Sequence, residues 1–169
     1  MANETLALFL AHPLELESEA LERYRELVDI LVAHHNSEVV DFFQRMADEA
    51  RHHLAEVHAL SEGLSLPQIK AWEFNWPDSE PPEPASYEAV HYRMSLRKGI
   101  ELALENERSA ERYYWSVAKS SHDLDTVKVA TQFVDEEMSH EAALLKMLEG
   151  LPENEVFHHL DDDEPHIPE

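Results

Sequence analysis

Apolar residues recur at steps of three and four along four stretches of the chain, and a glutamate interrupts each row. In the first stretch Leu14, Leu21, Tyr24, Val28 and Leu31 fall on one helical face, with Glu17 in the same row. The second row runs Val39, Phe42, Met46, His53 or Val57, and Leu60, with Glu49 inside it. Val90, Met94, Ile100, Leu104, Ala110, Tyr114 and Ala118 make the third, around Glu107. The fourth holds Val127, Ala130, Val134, Leu144 and Leu148, with Glu137 followed by His140 or Glu141. Four amphipathic helices are predicted. A carboxylate inside an apolar row is costly unless it is paired or metal-bound.

Punctuation between the rows sets the expected boundaries. Residues 1–12 read as a lead-in that packs on the bundle, with Pro13 in the first turn of helix one. His34, His35 and Asn36 end that helix, and Asn36 or Ser37 caps the next. Gly63 and Pro67 close helix two. Residues 64–85 have no helical period. A helix of about 26 residues is about 39 Å long, and 22 extended residues reach about 70 Å. This connection therefore spans the bundle from one end to the other, packed down by Trp72, Phe74 and Trp76. Ser86 is the expected cap of helix three, with Glu88 in its first turn. Residues 120–123 make a short turn, and Gly150 and Pro152 stop helix four. The expected organisation is an all-α four-helix bundle over residues 1–150, with one long crossover between helices two and three. An acidic tail, 151–169, carries His158, His159 and His166 and is expected to be loosely held.

Composition narrows the function. Three glycines in 169 residues, and prolines kept outside the long rows, agree with an all-helical domain. Thirteen basic against 36 acidic residues give a net charge of −23. Such a chain repels nucleic acid and anionic membranes and attracts cations. Cysteine is absent, which excludes disulfides, thiolate metal sites and cysteine nucleophiles. The apolar run LALFLA is too short for a membrane span or a signal peptide, so a soluble, cytoplasmic protein is expected.

The interrupting glutamates belong to two matching halves. Glu17 precedes Tyr24 by seven residues, and Glu107 precedes Tyr114 by seven. Glu49-x-x-His52 follows the first pair and Glu137-x-x-His140 the second, with Glu–Glu separations of 32 and 30 residues. Four carboxylates and two imidazoles are the ligand inventory of a carboxylate-bridged two-metal site in a bundle. Two divalent ions would balance four carboxylate charges, which lets the cluster exist in a low-dielectric core. In this reading Glu17 and Glu107 are terminal ligands and Glu49 and Glu137 bridge. His52 and His140 serve one metal each. Tyr24 and Tyr114, two turns on from their glutamates, are candidates to hydrogen-bond a ligating carboxylate or supply an electron. Ligating histidines usually donate their second N–H to a carboxylate. Asp48 is therefore expected to reach His140, and Glu136 to reach His52. His53 and His58 read as flank or surface residues, and Trp115 as packing.

These motifs, Glu17-x6-Tyr24, Asp48-Glu49-x-x-His52, Glu107-x6-Tyr114 and Glu136-Glu137-x-x-His140, resemble the rubrerythrin branch of the ferritin-like superfamily. The resemblance covers about residues 13–150. It implies a ferritin-like fold and a centre of two iron ions, with manganese or zinc as substitutes. It also implies reduction of hydrogen peroxide or dioxygen coupled to ferrous oxidation, and a homodimer or larger assembly. Three departures stand out. Without cysteine the rubredoxin domain of a full rubrerythrin is missing, so the chain is expected to take electrons from an external donor or to work without that cycle. Ala110 replaces an additional metal-associated Glu, making the site more symmetric, as in bacterioferritin. The tail does not resemble the fifth helix of cage-forming ferritins. Iron delivery without catalysis and a di-iron hydroxylase are the alternative functions.

Overall fold

The computed structural model describes residues 3–33, 37–69 and 95–151. Four helices fill them: α1 (Glu4–Val32), α2 (Ser37–Leu60), α3 (Leu96–Ser120) and α4 (Leu124–Glu149). The expectations for His34, His35 and Asn36, for Trp72, Phe74 and Trp76, for Ser86, Glu88, Val90 and Met94, and for the tail histidines lie outside the described residues.

Helix α1 pairs closely with α2, and α3 with α4, and the two hairpins pack against each other. Their direction is fixed by one polar contact. Asn3 caps α1 through the Leu6 N–H, and its amide also donates to Asp123 Oδ2 at 2.9 Å. Asp123 caps α4 through the Thr126 N–H at 2.9 Å. The N-termini of α1 and α4 therefore share one end of the bundle. The chain between α2 and α3 must then return from that end to the other, which is the long crossover expected from its length.

Two boundaries differ from the sequence reading: α3 begins at Leu96, capped by Ser95 and not by Ser86, and α1 begins earlier than expected. Helix α1 starts at Glu4, so Pro13 lies inside it and is buried. Pro13 has no N–H to give the Phe9 carbonyl one turn back. The helix tolerates this because the turn before it is well held. Asn3 supplies the cap, and His12 Nδ1 lies 3.0 Å from the Leu8 carbonyl. Phe9, Leu10 and Ala11 are all buried, so packing on the neighbouring helices outweighs one lost backbone hydrogen bond. The start of α3 and the end of α2 follow local signals. Ser95 caps α3 through the Lys98 N–H. Gly63 takes a positive φ of 78°, open to glycine at little cost, just beyond the end of α2.

The apolar interior is divided into two clusters. One holds Tyr24, Leu27, Leu31, Val39, Phe43, Met46, Ile100 and Leu104 among others. The second, at the end shared by the α1 and α4 N-termini, holds Phe9, Leu10, Val57, Ala110, Tyr114, Phe133 and Val134. Between them lie the glutamates. Among the described residues only Glu17, Thr126 and Glu137 are buried polar or charged groups. No described helix is long and apolar enough to cross a membrane.

Candidate metal centre

Glu17 of α1, Glu49 and His53 of α2, Glu107 of α3, and Glu137 and His140 of α4 converge between the two apolar clusters. Two triads bring one candidate ligand atom from each member within 4.8 Å of the others: His53, Glu137 and His140, and Glu49, Glu107 and His140. Glu17 joins the first triad through His53, whose Nδ1 is 3.1 Å from Glu17 Oε1. The His53 and His140 rings stack, with centroids 4.8 Å apart and 28° between planes.

Here the first half departs from its expected motif. His52 is exposed and belongs to neither triad. His53 takes the interior position. The cause is helical phase. Val39, Phe43, Met46, Ala50 and Val57 are buried at alternating steps of four and three, and His53 continues that row. One residue earlier is about 100° around the helix, which turns His52 outward. The first half is thus Glu-x-x-x-His, while the second keeps Glu-x-x-His. The row itself contained His53, and matching the two halves to one template hid that signal.

The expected supports of the histidines are also elsewhere. Asp48 pairs with Arg51 at 3.2 Å on the exposed face of α2, not with His140. Glu136 accepts a hydrogen bond from Gln132 at 3.1 Å and lies beside Glu56. Adjacent positions on a helix are about 100° apart, so a residue next to an inward-pointing Glu is turned toward the flank of the bundle. His140 Nδ1 instead stands 3.8 Å from Glu107 Oε2 and 3.7 Å from Glu137 Oε2. Those are ion-pair distances, too long for good hydrogen bonds. Both His140 Nδ1 and Glu137 Oε2 are buried without a hydrogen-bond partner among the described residues. Buried polar atoms are rarely left so, and unpaired donor and acceptor atoms converging on one point fit an ion.

Electrostatics point the same way. Burial, then the adjoining Glu107, pushes the Glu137 carboxyl well above the ordinary range. Burial acts upward on Glu107 too, but the adjoining Glu137 and His140 outweigh it and the net shift is downward. The two facing carboxyls are thus pushed in opposite directions. Glu107 and Glu137 beside His140 push its imidazole up to about 11. Burial acts to lower His53, yet the Glu17 hydrogen bond and charge prevail and the shift is upward. Burial also raises Glu17 and Glu49.

Each tyrosine stands over one side of this cluster. Tyr114 is buried between Phe9, Phe133 and Tyr113, with ring centroids at 6.0, 5.2 and 5.6 Å. Burial, then the Glu17 and Glu137 charges, raises its phenol well above the usual value, so it stays a neutral donor. Tyr24 stacks on Phe43 at 5.8 Å. Two small cavities adjoin the cluster. One, of about 10 Å³, is lined by Pro13, Glu17, His53, Tyr114, Glu137 and, at its outer side, Glu56 and Glu136. The other, about 30 Å³, includes Glu17, Tyr24, Glu49, His53, Glu107 and Ala110 in its wall. Each has room for about one or two waters.

The rubrerythrin family model matches residues 9–148 of this chain. A crystal structure of an uncharacterized conserved protein from Magnetospirillum magnetotacticum MS-1 is similar, with 35% sequence identity and a TM-score of 0.70. That match covers 89% of this chain and 97% of the other. No curated protein matches. With four paired helices, a His/Glu cluster at their centre and a family match along nearly the whole bundle, the chain belongs to the rubrerythrin family.

Proposed function

We propose that this protein is a di-iron carboxylate oxidoreductase that couples ferrous oxidation to reduction of hydrogen peroxide or dioxygen. The observation that carries the reading is the pair of triads sharing His140, with unpaired Glu137 Oε2 and His140 Nδ1 aimed into the same space. Glu17, His53 and Glu137 would hold one ion, and Glu49, Glu107 and His140 the other. Carboxylate and imidazole together suit ferrous iron, with manganese or zinc as substitutes. Two ferrous ions bound here would supply the two electrons that, with two protons, convert hydrogen peroxide to two waters. The chain's own residues set the conditions. The apolar clusters on either side keep bulk water out. Tyr114 keeps its proton beside Glu17 and Glu137. The small cavities favour an oxidant of the size of peroxide or dioxygen over the organic substrate of a hydroxylase.

With no cysteine, the chain would draw electrons from an external donor. A second reading, iron delivery without turnover, is favoured by the same absence together with the charge of −23. Anaerobic Fe²⁺ titration followed by stopped-flow mixing with peroxide, and then with oxygen, separates the two. The oxidoreductase reading expects two ions per chain, rapid oxidation by one oxidant, and repeated turnover with a surrogate reductant that is lost in Glu49→Ala. One oxidation per bound iron, without turnover, would favour delivery. Binding of far fewer than two ions per chain would overturn both.

A further inference from the structure

Tyr113 belongs to neither of the repeated motifs, yet it joins Tyr114 to the outside of the bundle. Aligning Glu17 and Tyr24 with Glu107 and Tyr114 places Arg23 opposite Tyr113. Arg23 pairs with Glu26 at 3.1 Å and carries no aromatic ring. In the second half the position is aromatic and bridges α3 to α1. The Tyr113 and Tyr114 ring centroids are 5.6 Å apart, and the His12 ring of α1 lies 5.3 Å from Tyr113. Phe9 packs against both tyrosines, at 6.4 and 6.0 Å. All of these are contact separations for aromatic rings.

Exposure falls along this line. His12 and Tyr113 are half-buried, and Tyr114 is 2% exposed. Tyr114 also shares a cavity wall with Glu17, His53 and Glu137. A phenylalanine would fill the place of Tyr113 without burying a hydroxyl, so packing alone does not call for a phenol. What the phenol adds is a ring that can lose one electron and one proton. His12 is placed to take that proton. Its Nδ1 is 3.0 Å from the Leu8 carbonyl, an acceptor, so Nδ1 carries a hydrogen and donates it. Burial holds the imidazole below its ordinary value, which favours the neutral ring. Nε2 is then its basic atom.

We propose that Tyr114, Tyr113 and His12 form a path by which a one-electron oxidising equivalent leaves the metal centre for the surface. The path rests on the oxidoreductase reading and meets a need of the half-filled centre. Hydrogen peroxide becomes two waters by taking two electrons and two protons. A centre that holds one ferrous ion gives one electron. Tyr114 gives the second electron together with its phenolic proton, and solvent gives the second proton. Tyr113 then passes an electron to Tyr114, which recovers a proton from solvent, while the phenolic proton of Tyr113 goes to His12. The radical left at Tyr113 lies near the surface. A small one-electron reductant such as ascorbate restores the phenol there, with the proton returning from His12. A half-filled centre thereby completes the two-electron reduction of peroxide instead of releasing a hydroxyl radical.

Protein loaded anaerobically with one Fe²⁺ per chain, mixed with hydrogen peroxide and freeze-quenched, tests the path by electron paramagnetic resonance. Iron binding is measured first in each variant. Wild type should show a phenoxyl radical, identified by deuterated tyrosine, that ascorbate removes. In Tyr113→Phe the radical should form on buried Tyr114 and its removal by ascorbate should slow at least tenfold. Tyr114→Phe should lower the radical yield at least tenfold. His12→Phe keeps a ring but offers no base, and should slow removal about threefold. A wild type whose iron is bound and oxidised without a phenoxyl radical would overturn the path and leave the metal-centre reading standing. So would a radical that persists in Tyr114→Phe, or ascorbate removal unchanged in Tyr113→Phe. Failure of iron to bind to wild type would overturn the metal-centre reading, and the path with it.

Discussion

His53 Nδ1 lies 3.1 Å from Glu17 Oε1, and its ring stacks on His140 at 4.8 Å. That relationship joins α1, α2 and α4 at one point and places His53, not His52, inside. Substitution separates the two neighbours. His53→Ala should lower Mn²⁺ affinity at one of the two inner positions by roughly tenfold or more, the range for loss of a metal ligand or its support. His52→Ala should leave both within about twofold, since an exposed side chain away from the site has little to contribute. Equal effects, or a larger effect at His52, would return the ligand role to His52.

The glutamates were readable because each sits in an apolar row, where a charge has no structural excuse. Phase and spacing sufficed for the four helices, for the short turn before α4, and for the crossover. His53 was harder. It lay in the row, but two adjacent histidines gave two spacings from Glu49, three or four residues, both compatible with one helical face. Only the packed neighbours Met46, Ala50 and Val57 decide between them. Asp48 and Glu136 differ from expectation for the converse reason: a neighbour in sequence of an inward-pointing Glu is not its neighbour around the site. The start of α1 was hidden by Pro13, which reads as a first-turn residue locally. Tertiary burial of Phe9, Leu10 and Ala11 overrides that preference.

The imidazole of His140 holds a proton when metal is absent, so metal binding should release it. His140, raised to about 11, holds a proton near neutral pH, and the shifts of His53 and Glu137 run in the same upward direction. An ion must displace such protons. Apparent Mn²⁺ affinity should therefore rise at least ~10-fold per pH unit between pH 6 and 7. Unbuffered titration should show at least about one proton leaving per filled centre. A pH-independent affinity would contradict a protonated His140. The same shift affects the metal-free protein. His140 has its folded pKa above the ordinary 6.5, so its contribution to stability is full below pH 6.5 and is lost as pH rises through about 11. The metal-free melting temperature should fall on the alkaline side of neutrality.

Burial and the adjoining Glu107 push the Glu137 carboxyl well up, toward its neutral form. A glutamine copies that neutral form. Glu137→Gln should leave the metal-free melting temperature at pH 7 within about 2 °C of wild type. Metal should behave differently. Ligand at about 100 times its Kd adds about 2.7 kcal/mol to wild type, a rise of roughly 5–10 °C for a domain of this size. The variant should lose most of that rise. Calorimetry with and without Mn²⁺ gives both numbers. A large metal-free destabilisation would show that Glu137 is ionised and paired in the empty protein.

Glu141 supplies a test of the opposite kind, one where removing a charge helps. It lies one turn beyond Glu137 on α4. Burial, then the neighbouring Glu111, raises its carboxyl to about 7. Its Oε1 is buried without a hydrogen-bond partner among the described residues. For an acid whose folded pKa lies above its ordinary value of 4.5, the folded state is favoured at low pH and loses stability as pH rises from 4.5 through 7. Glu141→Gln removes that loss. Much of the side chain is near solvent, which screens the effect, so the gain is small. The metal-free variant should melt roughly 2 °C above wild type at pH 8 and together with it at pH 4.5. A gain that is the same at both values would assign the effect to packing, and a lower melting temperature at pH 8 would show that the Glu141 charge is stabilised by Arg108 more than Glu111 opposes it.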